Sequence, residues 1–203
     1  MKKIPILFSG PMVRAILAGR KTQTRRAIKP QPDEDGLCRD LSRDEKLFDS
    51  SGREYKCPFG FPDDLLWVRE TFAMATGSSV LPDTPVYRAD GEGLPILAHK
   101  WKPSIFMPRS ISRLTLLVKE ITVERVQDIS DRGPSNDCTD EGVFHCGLNL
   151  PDDWRERGYH SIEKCAFRDL WDSINKKRGF GWDNNPWVWV VEFGVICRNV
   201  EEV

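Results

Sequence analysis

The chain has 203 residues, 30% of them charged and 39% hydrophobic, and a formal net charge of −1 at pH 7. This ordinary globular balance excludes a polycation that binds nucleic acid over its whole surface, so any such surface is local. The length suits one domain spanning 1–203, with loop-rich insertions near 31–58 and 131–160.

Targeting signals and cysteines indicate the cellular compartment in which the chain is expected. No apolar stretch approaches the roughly 20 residues that span a bilayer, and no long apolar stretch follows the two N-terminal lysines. We therefore expect a cytoplasmic protein without a signal peptide or a membrane partner, whose six scattered cysteines stay reduced. Cys138, His145 and Cys146 match no zinc-ligand spacing, and we expect neither a metal site nor a cofactor.

The N-terminal region predicts a strand followed by a helix. Residues 4–8 form a short apolar run typical of a strand. Gly10 and Pro11 begin a helix, because proline suits the first helical turn, and apolar residues at four-residue spacing give it a buried stripe. Gly19 ends the helix. The threonine-rich residues 21–28 are predicted to be extended.

The middle of the chain is rich in strand signals. Residues 29–58 are polar, contain several Pro and Gly, and predict a long loop with room for a small hairpin. Residues 65–72 and 85–88 predict strands. The strongest strand pattern covers 112–126, with a slip in its alternation at Lys119-Glu120 that indicates a bulge or a bend.

The C-terminal part predicts a helix and a last strand. After the polar, loop-rich residues 128–158, a helix is predicted over 162–174 with Ser161 as its N-cap, and a strand over 187–196. Strands dominate and do not alternate regularly with helices. We therefore predict an α+β fold with a mostly antiparallel sheet, curled into a barrel.

Basic residues are concentrated in the first thirty positions, which contain eight Lys and Arg residues and no Asp or Glu. A solvated surface is the simpler interpretation of such a run. The segment from Gly19 to Arg26, however, directly follows a helix end, and its cations can attract phosphate. Its threonine hydroxyls can bond a base, or attack as nucleophiles when activated. Lys21 and Thr24 are three residues apart, so they converge only if Lys21 still belongs to the turn after the helix.

This segment, Gly19-x-Lys21-x-x-Thr24-x-Arg26, resembles the signature of the ASCH domain family in its position after the helix. That family belongs to the PUA-like superfamily of small β-barrels that bind RNA. Further stretches resemble its phage and prophage branch: WVRE at 67–70, KPSIFMPR at 102–109, LWDSIN at 170–175 and GWDNNPWVW at 181–189. The resemblance implies a PUA-like β-barrel, with residues 19–26 lining a cleft, whose partner is RNA or a modified nucleoside.

The resemblance also implies a possible reaction. Some small ASCH proteins are similar to amidohydrolases that deacetylate N4-acetylcytidine with a Lys, a Thr nucleophile and a Glu, which Lys21, Thr24 and Glu141 match. Thr24 would attack the amide carbonyl, Lys21 would accept its proton or stabilise the oxyanion, and Glu141 would protonate the leaving amine. Water would then release acetate without a metal, and Arg26 would orient Glu141 or a phosphate. Other members are similar to ribonucleases.

Four further charged residues are candidates beside this trio. Arg20, Arg25 and Arg26 are expected to contact phosphate or a base. Glu70 ends a predicted strand and could act as an acid or base, although a salt bridge with a nearby arginine is the simpler interpretation.

A second group of candidates lies in loops. Lys102, Ser104 and Arg109 lie among aromatic residues, a pattern that suits single-stranded nucleic acid or, equally, a loop that covers the core. Trp182 lies in a Gly/Asn loop and could stack on a base. In order, we consider a nucleic-acid-binding module, an amidohydrolase or nuclease, and a phage accessory protein that acts through protein partners.

Overall fold

A computed structural model describes residues 1–40, 46–75, 84–91, 100–131, 136–143 and 161–203. The helices are α1 (Gly10–Leu17), α2 (Asp137–Asp140) and α3 (Ile162–Asn175). The strands are β1 (Lys3–Leu7), β2 (Gln23–Ala27), β3 (Cys38–Asp40), β4 (Lys46–Phe48), β5 (Glu54–Tyr55), β6 (Leu65–Arg69), β7 (Phe72–Ala75), β8 (Thr84–Tyr87), β9 (Thr115–Arg125) and β10 (Trp187–Ile196). His145 and Cys146 lie outside the described residues.

The strands form one large and two small sheets. The hydrogen-bonded orders are β1-β6-β9-β10-β2, β3-β4-β5 and β7-β8. Strands β1 and β6 are parallel, whereas β6 with β9 and β10 with β2 are antiparallel. The α+β class and the mostly antiparallel sheet are therefore confirmed. Over the described residues the large sheet has β1 and β2 as its outer strands, so the predicted closed barrel is not observed.

Local signals place most of these elements. The hydroxyl of Ser161 accepts the N–H of Lys164 at 3.1 Å and caps α3 as predicted, because it satisfies an N–H that the first helical turn leaves unpaired. Strand β10 covers the residues predicted for it. Cys165 and Phe167 are buried in α3, but Ile174, which the pattern predicts to face inward, is 36% exposed in the last turn of the helix.

The chain divides into two compact units, each built from separate stretches. The first unit comprises Met1–Thr22, Phe59–Lys119 and Phe193–Val203, and the second comprises Gln23–Pro58 and Glu120–Glu192. The single domain expected from the sequence stays a prediction. No helix among the described residues has both the length and the apolar character that crossing a bilayer requires.

Each unit has its own hydrophobic core. In the first, Leu65, Trp67 and Val200 form a buried cluster, against which Leu117 and Ile196 pack. In the second, the cluster joins the end of β9, α2, α3 and β10, and its aromatic members are Phe167, Trp171 and Trp182. The two units are described separately below.

Candidate functional site

The turn after α1 places Lys21 in the first unit. Gly19 has a φ of 68°, a left-handed conformation that glycine adopts without steric cost. The N–H groups of Arg20 and Lys21 both donate to the carbonyl of Ala15, at 2.9 and 3.1 Å. Lys21 therefore belongs to the turn after the helix, as the sequence analysis required, whereas β2 begins only at Gln23.

Lys21 has no exposed surface, and its ammonium lies 5.8 Å from the ring centroid of Phe8. That distance is within the range of a cation–π interaction. Removing an ammonium from water carries a large free-energy cost unless other groups stabilise it. A completely buried lysine is therefore unsuited to a surface that attracts phosphate from solvent, and is more typical of a functional interior. Arg20, by contrast, is exposed.

Strand β2 carries the remaining residues of the segment in the second unit. It pairs with β10 so that Thr24 lies opposite Val191 and Arg25 lies opposite Val190. Because side chains alternate along a strand, Thr24 and Arg26 share one face of the sheet, and Arg25 is on the other. Thr24 is 3% exposed.

The guanidinium of Arg25 is surrounded by three carboxylates. Its Nε lies 2.6 Å from Glu124 Oε1, its Nη2 lies 2.9 Å from Asp137 Oδ2, and its Nη1 lies 3.3 Å from Glu141 Oε1. The Arg25 side chain is 1% exposed, compared with 25% and 26% for Glu124 and Asp137. Arg25 therefore acts as an internal counter-ion that holds Glu141, and a phosphate would have to displace a carboxylate to bind it.

Burial and charge act on these groups in opposite directions. Burial lowers the pKa of Arg25, but the negative charges of Glu141 and Glu124 outweigh it, so that this pKa is raised. Burial also raises the pKa of Glu124, and Arg25 offsets this only in part. For Asp137 the offset is larger: hydrogen bonds from Gln23 and the charge of Arg25 outweigh burial and lower its pKa.

A polar recess of about 140 Å³ lies on the Arg25 face of the second unit. Its lining residues are Gln23, Arg25, Glu120, Thr122, Glu124, Asp137, Val190 and Glu192. Four carboxylates and one guanidinium thus line the recess, which therefore offers a ligand mainly hydrogen-bond acceptors. Its volume is below the roughly 300–1,000 Å³ of most ligand pockets, and it suits a single planar base rather than a strand.

Arg26 and Glu141 are both associated with the second unit's interior. Burial lowers the pKa of Arg26, while the charge of Glu141 acts to raise it and that of Arg178 to lower it. Glu141 is 5% exposed and caps the C-terminus of α2. Glu141 contacts the guanidinium of Arg25 at 3.3 Å, and its charge also acts on Arg26, so the orientation of Glu141 by Arg26, which the resemblance implies, stays a prediction.

Glu70 makes the salt bridge that was its simpler interpretation. Its carboxylate is 1% exposed and accepts two hydrogen bonds from Arg113, at 2.8 and 3.0 Å. Arg113 also contacts Asp90 at 2.7 Å and lies 4.0 Å from the ring centroid of Tyr87. Burial raises the pKa of Glu70, and Arg113 acts against that shift.

The loop residues expected to bind nucleic acid have different surroundings. Lys102 is exposed, and its backbone pairs with Phe72. Ser104 begins a 3-10 turn and is half-buried. Arg109 contacts Glu201 at 2.5 Å, so its charge is already compensated. Only Lys102 of these three presents an exposed cation.

Trp182 is part of the second core rather than an open stacking surface. It is 4% exposed, and its ring meets that of Phe167 nearly edge-on, with centroids 6.1 Å apart. Its loop is short, and the carboxylate of Asp172 accepts the Trp182 backbone N–H at 2.6 Å. The indole therefore packs inward even though glycine and asparagine surround it in sequence.

Sequence reasoning missed Glu124 and Asp137, the two most exposed partners of Arg25. One signal was present: Glu120, Thr122 and Glu124 alternate along β9, which puts three polar side chains on one face. Asp137 offered no comparable periodicity, because it lies in the short helix α2 after a polar stretch.

Comparison with known proteins identifies no relative from which a function of this site could be inferred. No family model, no curated protein and no solved structure matches the chain. Among the described residues, no group of three His, Cys, Asp or Glu side chains is arranged to hold a metal ion.

Proposed function

We propose that this chain binds RNA or a modified nucleoside, and that the modified nucleoside is the ligand of the second unit. One observation carries the proposal: the recess of the second unit is lined by four carboxylates together with the buried side chains of Gln23 and Arg25. Burying such groups opposes folding, and clusters of buried ionisable groups are typical of functional sites.

The charge of the recess favours a nucleoside over an RNA strand. A phosphodiester would meet the carboxylates of Glu120 and Glu124 and be repelled by them. The N–H groups on the edge of a base are instead attracted by carboxylates, since Asp and Glu accept hydrogen bonds from an exocyclic amine such as N4 of cytosine. A base would enter the recess, and its sugar would stay outside because the volume is small.

Titration with a panel of free nucleosides, including N4-acetylcytidine, tests this ligand class. We expect binding that changes little between 50 and 200 mM salt, because no phosphate contacts are replaced by counterions. Thr122→Val removes one hydroxyl from the recess and should weaken binding, whereas the matched change Thr84→Val, on an exposed strand of the first unit, should not. If both variants bind nucleosides with the same affinity as the unaltered chain, the recess is not the binding site.

A second candidate, deacetylation of N4-acetylcytidine, rests on the match of Lys21, Thr24 and Glu141 to the resemblance. Thr24 is 3% exposed, Glu141 is 5% exposed and Lys21 has no exposed surface. This burial does not fit the open cleft that the resemblance implies, and it counts in favour of an accessory protein that acts through protein partners. Attack by Thr24 on the acetyl carbonyl would break the bond to the exocyclic N4, and water would then hydrolyse the acetyl ester to acetate.

Mass analysis of N4-acetylcytidine incubated with the chain distinguishes the two candidates. Hydrolysis produces cytidine and acetate, whereas a binding module leaves the nucleoside intact. Thr24→Ala should abolish turnover and keep nucleoside binding, and Thr24→Ser should retain part of it because a hydroxyl remains. Full turnover by Thr24→Ala would remove Thr24 from the mechanism. Short RNAs in the same incubation detect a ribonuclease by their fragments.

The family and its barrel belong to the same proposal. The motif from Gly19 to Arg26 supports membership of the ASCH family, and the five-stranded, mostly antiparallel sheet is compatible with a PUA-like architecture. We propose that a PUA-like barrel is the complete form of this sheet. An experimental structure of the whole chain, in which β1 and β2 either pair around the sheet or stay apart, tests it.

A further inference from the structure

A short turn in the first unit presents apolar side chains to solvent. Residues 104–106, here called the Phe106 tip, form a 3-10 turn in which Ile105 is 58% exposed and Phe106 is 68% exposed. Single exposed apolar residues are common on protein surfaces. Two adjacent large apolar residues that are both exposed on one ordered turn are less common and require an explanation.

The Phe106 tip is anchored on both sides. Before it, the backbone of Lys102 exchanges hydrogen bonds with Phe72, at 2.7 and 3.2 Å. After it, Met107 is 1% exposed and its sulfur accepts the backbone N–H of Glu70 at 3.2 Å. The guanidinium of Arg69 donates to the carbonyl of Ile105. The aromatic ring is therefore held outward by fixed neighbours, and little conformational entropy is lost when a partner binds it.

The segment that carries the tip contains basic residues but no acidic ones. Residues 100–119 contain five Lys and Arg and no Asp or Glu. Arg109 and Arg113 contact carboxylates, but Lys100 and Lys102 are exposed, and Arg69 contributes a third cation at the tip. Phe106 thus belongs to the same short segment as two exposed lysines, and the ammonium of Lys102 lies 5.9 Å from the ring centroid of Phe72. Such a segment combines an aromatic surface on which a base can stack with charges that attract phosphate.

We propose that the Phe106 tip is a docking point for single-stranded nucleic acid, with one base stacked on Phe106 and the adjacent phosphates near Lys100 and Lys102. The inference deepens the proposed function, since it names a strand as the ligand of the first unit. It does not depend on the recess of the second unit, which a free nucleoside probes alone. An apolar protein partner would not require this concentration of exposed cations, which is why a strand is favoured.

Fluorescence anisotropy with labelled 12-nucleotide single strands, of RNA and of DNA, tests the proposal on the full chain. Loss of one base–aromatic stack, worth about 1–3 kcal/mol, corresponds to roughly 5- to 150-fold weaker binding, which we expect for Phe106→Ala. Lys102→Gln should weaken binding and reduce the slope of log affinity against log salt by about 0.7, the value for one phosphate contact of a single strand. A duplex of the same sequence should compete poorly, because its bases are already stacked.

Phe61→Ala is the matched control. Phe61 belongs to the same unit, is 60% exposed and has the ammonium of Lys2 at 5.9 Å from its ring, so it resembles Phe106 in exposure and in a nearby cation. Its removal should leave affinity unchanged. Equal losses for Phe61→Ala and Phe106→Ala, or no loss for Phe106→Ala, would overturn the proposal.

Two further outcomes would also refute the docking point. One is the absence of strand binding by the unaltered chain at 50 mM salt. The other is self-association of the unaltered chain, measured by sedimentation, that Phe106→Ala abolishes, since the tip would then be covered by a second copy. Free nucleoside binding is measured separately on each variant. If the unaltered chain does not bind free nucleoside, the recess is refuted as a binding site and the proposal for the Phe106 tip is unaffected. The Phe106→Ala variant should still bind free nucleoside.

Discussion

Each unit contains a cluster of arginine and carboxylates, and the two clusters differ in which groups are buried. In the first unit the carboxylate is buried and the arginine is not: Glu70 is 1% exposed, and its partner Arg113 is 26% exposed. In the second the guanidinium of Arg25 is 1% exposed and Glu141 is 5% exposed, while Glu124 and Asp137 are each about a quarter exposed.

This difference separates a structural anchor from a surface that can receive a ligand. Both oxygens of Glu70 are occupied by Arg113, so this carboxylate has little capacity left for a ligand and mainly fixes the chain. In the second unit, one guanidinium serves three carboxylates, and two of these line an open recess. Both oxygens of Asp137 already accept hydrogen bonds, from Gln23 and Arg25, but Arg25 contacts only one oxygen of Glu124. The recess therefore offers a ligand the second oxygen of Glu124, which is why the recess rather than the Glu70 cluster carries the proposed function.

Arg25→Met should produce the largest effect on stability. It removes the one guanidinium that three carboxylates share, and breaking a buried ion pair in this way typically costs about 3–5 kcal/mol. We expect the free energy of unfolding in urea to fall by about 3 kcal/mol, since two of the carboxylates can still reach water. The free energy of unfolding of Arg25→Lys should lie between those of Arg25→Met and the unaltered chain, because an ammonium keeps the charge but not the planar, forked guanidinium. A change below about 1 kcal/mol for Arg25→Met would mean that the cluster does not stabilise the fold.

Arg113→Ala should have a smaller effect that depends on pH. Burial raises the pKa of Glu70 even with Arg113 present, and without Arg113 that pKa rises further. A carboxyl with a raised folded-state pKa contributes stability that is present below its unfolded pKa of about 4.3 and is lost as pH rises through the folded value. The variant should therefore lose about 2 kcal/mol at pH 8 and less at pH 5, because Glu70 can bind a proton instead.

Adding Glu70→Gln to Arg113→Ala provides the control for this interpretation. The neutral amide removes the buried charge, so the double variant should lose the dependence on pH and recover part of its stability. A loss that is equal at pH 5 and pH 8 in Arg113→Ala would show that packing, including the contact with Tyr87 at 4.0 Å, rather than charge is responsible.

The sequence predicted those features that depend on neighbours along the chain. Ser161 caps α3 because the N–H it accepts lies three residues away, and the turn that follows Gly19 depends on local hydrogen bonds to Ala15. The run of aromatic and β-branched residues over 187–196 likewise predicted β10, because such residues are typical of strands. Such signals require no knowledge of the rest of the fold.

Partners distant in sequence could not be predicted in this way. Arg25 is 99 residues from Glu124 and 112 from Asp137, and nothing in a basic segment indicates which carboxylates will neutralise it. The concentration of cations therefore predicted a phosphate-binding surface, whereas the fold uses Arg25 internally. Trp182 shows the same limit: its loop predicts exposure, but packing against Phe167, 15 positions earlier, buries it.

A last pair of substitutions compares Glu124 and Asp137, the two partners of Arg25 that are about a quarter exposed, and should have the smallest effects. Burial raises the pKa of Glu124, so its charge opposes folding at neutral pH, and Glu124→Gln should leave the free energy of unfolding unchanged or slightly higher. The pKa of Asp137 is lowered, so its stability contribution is present above its unfolded value of about 3.9 and disappears as pH falls through the folded value. Asp137→Asn should therefore cost up to about 1 kcal/mol at pH 7 and progressively less toward pH 3. Equal losses from both substitutions in urea unfolding at pH 7 would show that Arg25 treats the two carboxylates alike, and that the recess gains no uncompensated acceptor from Glu124.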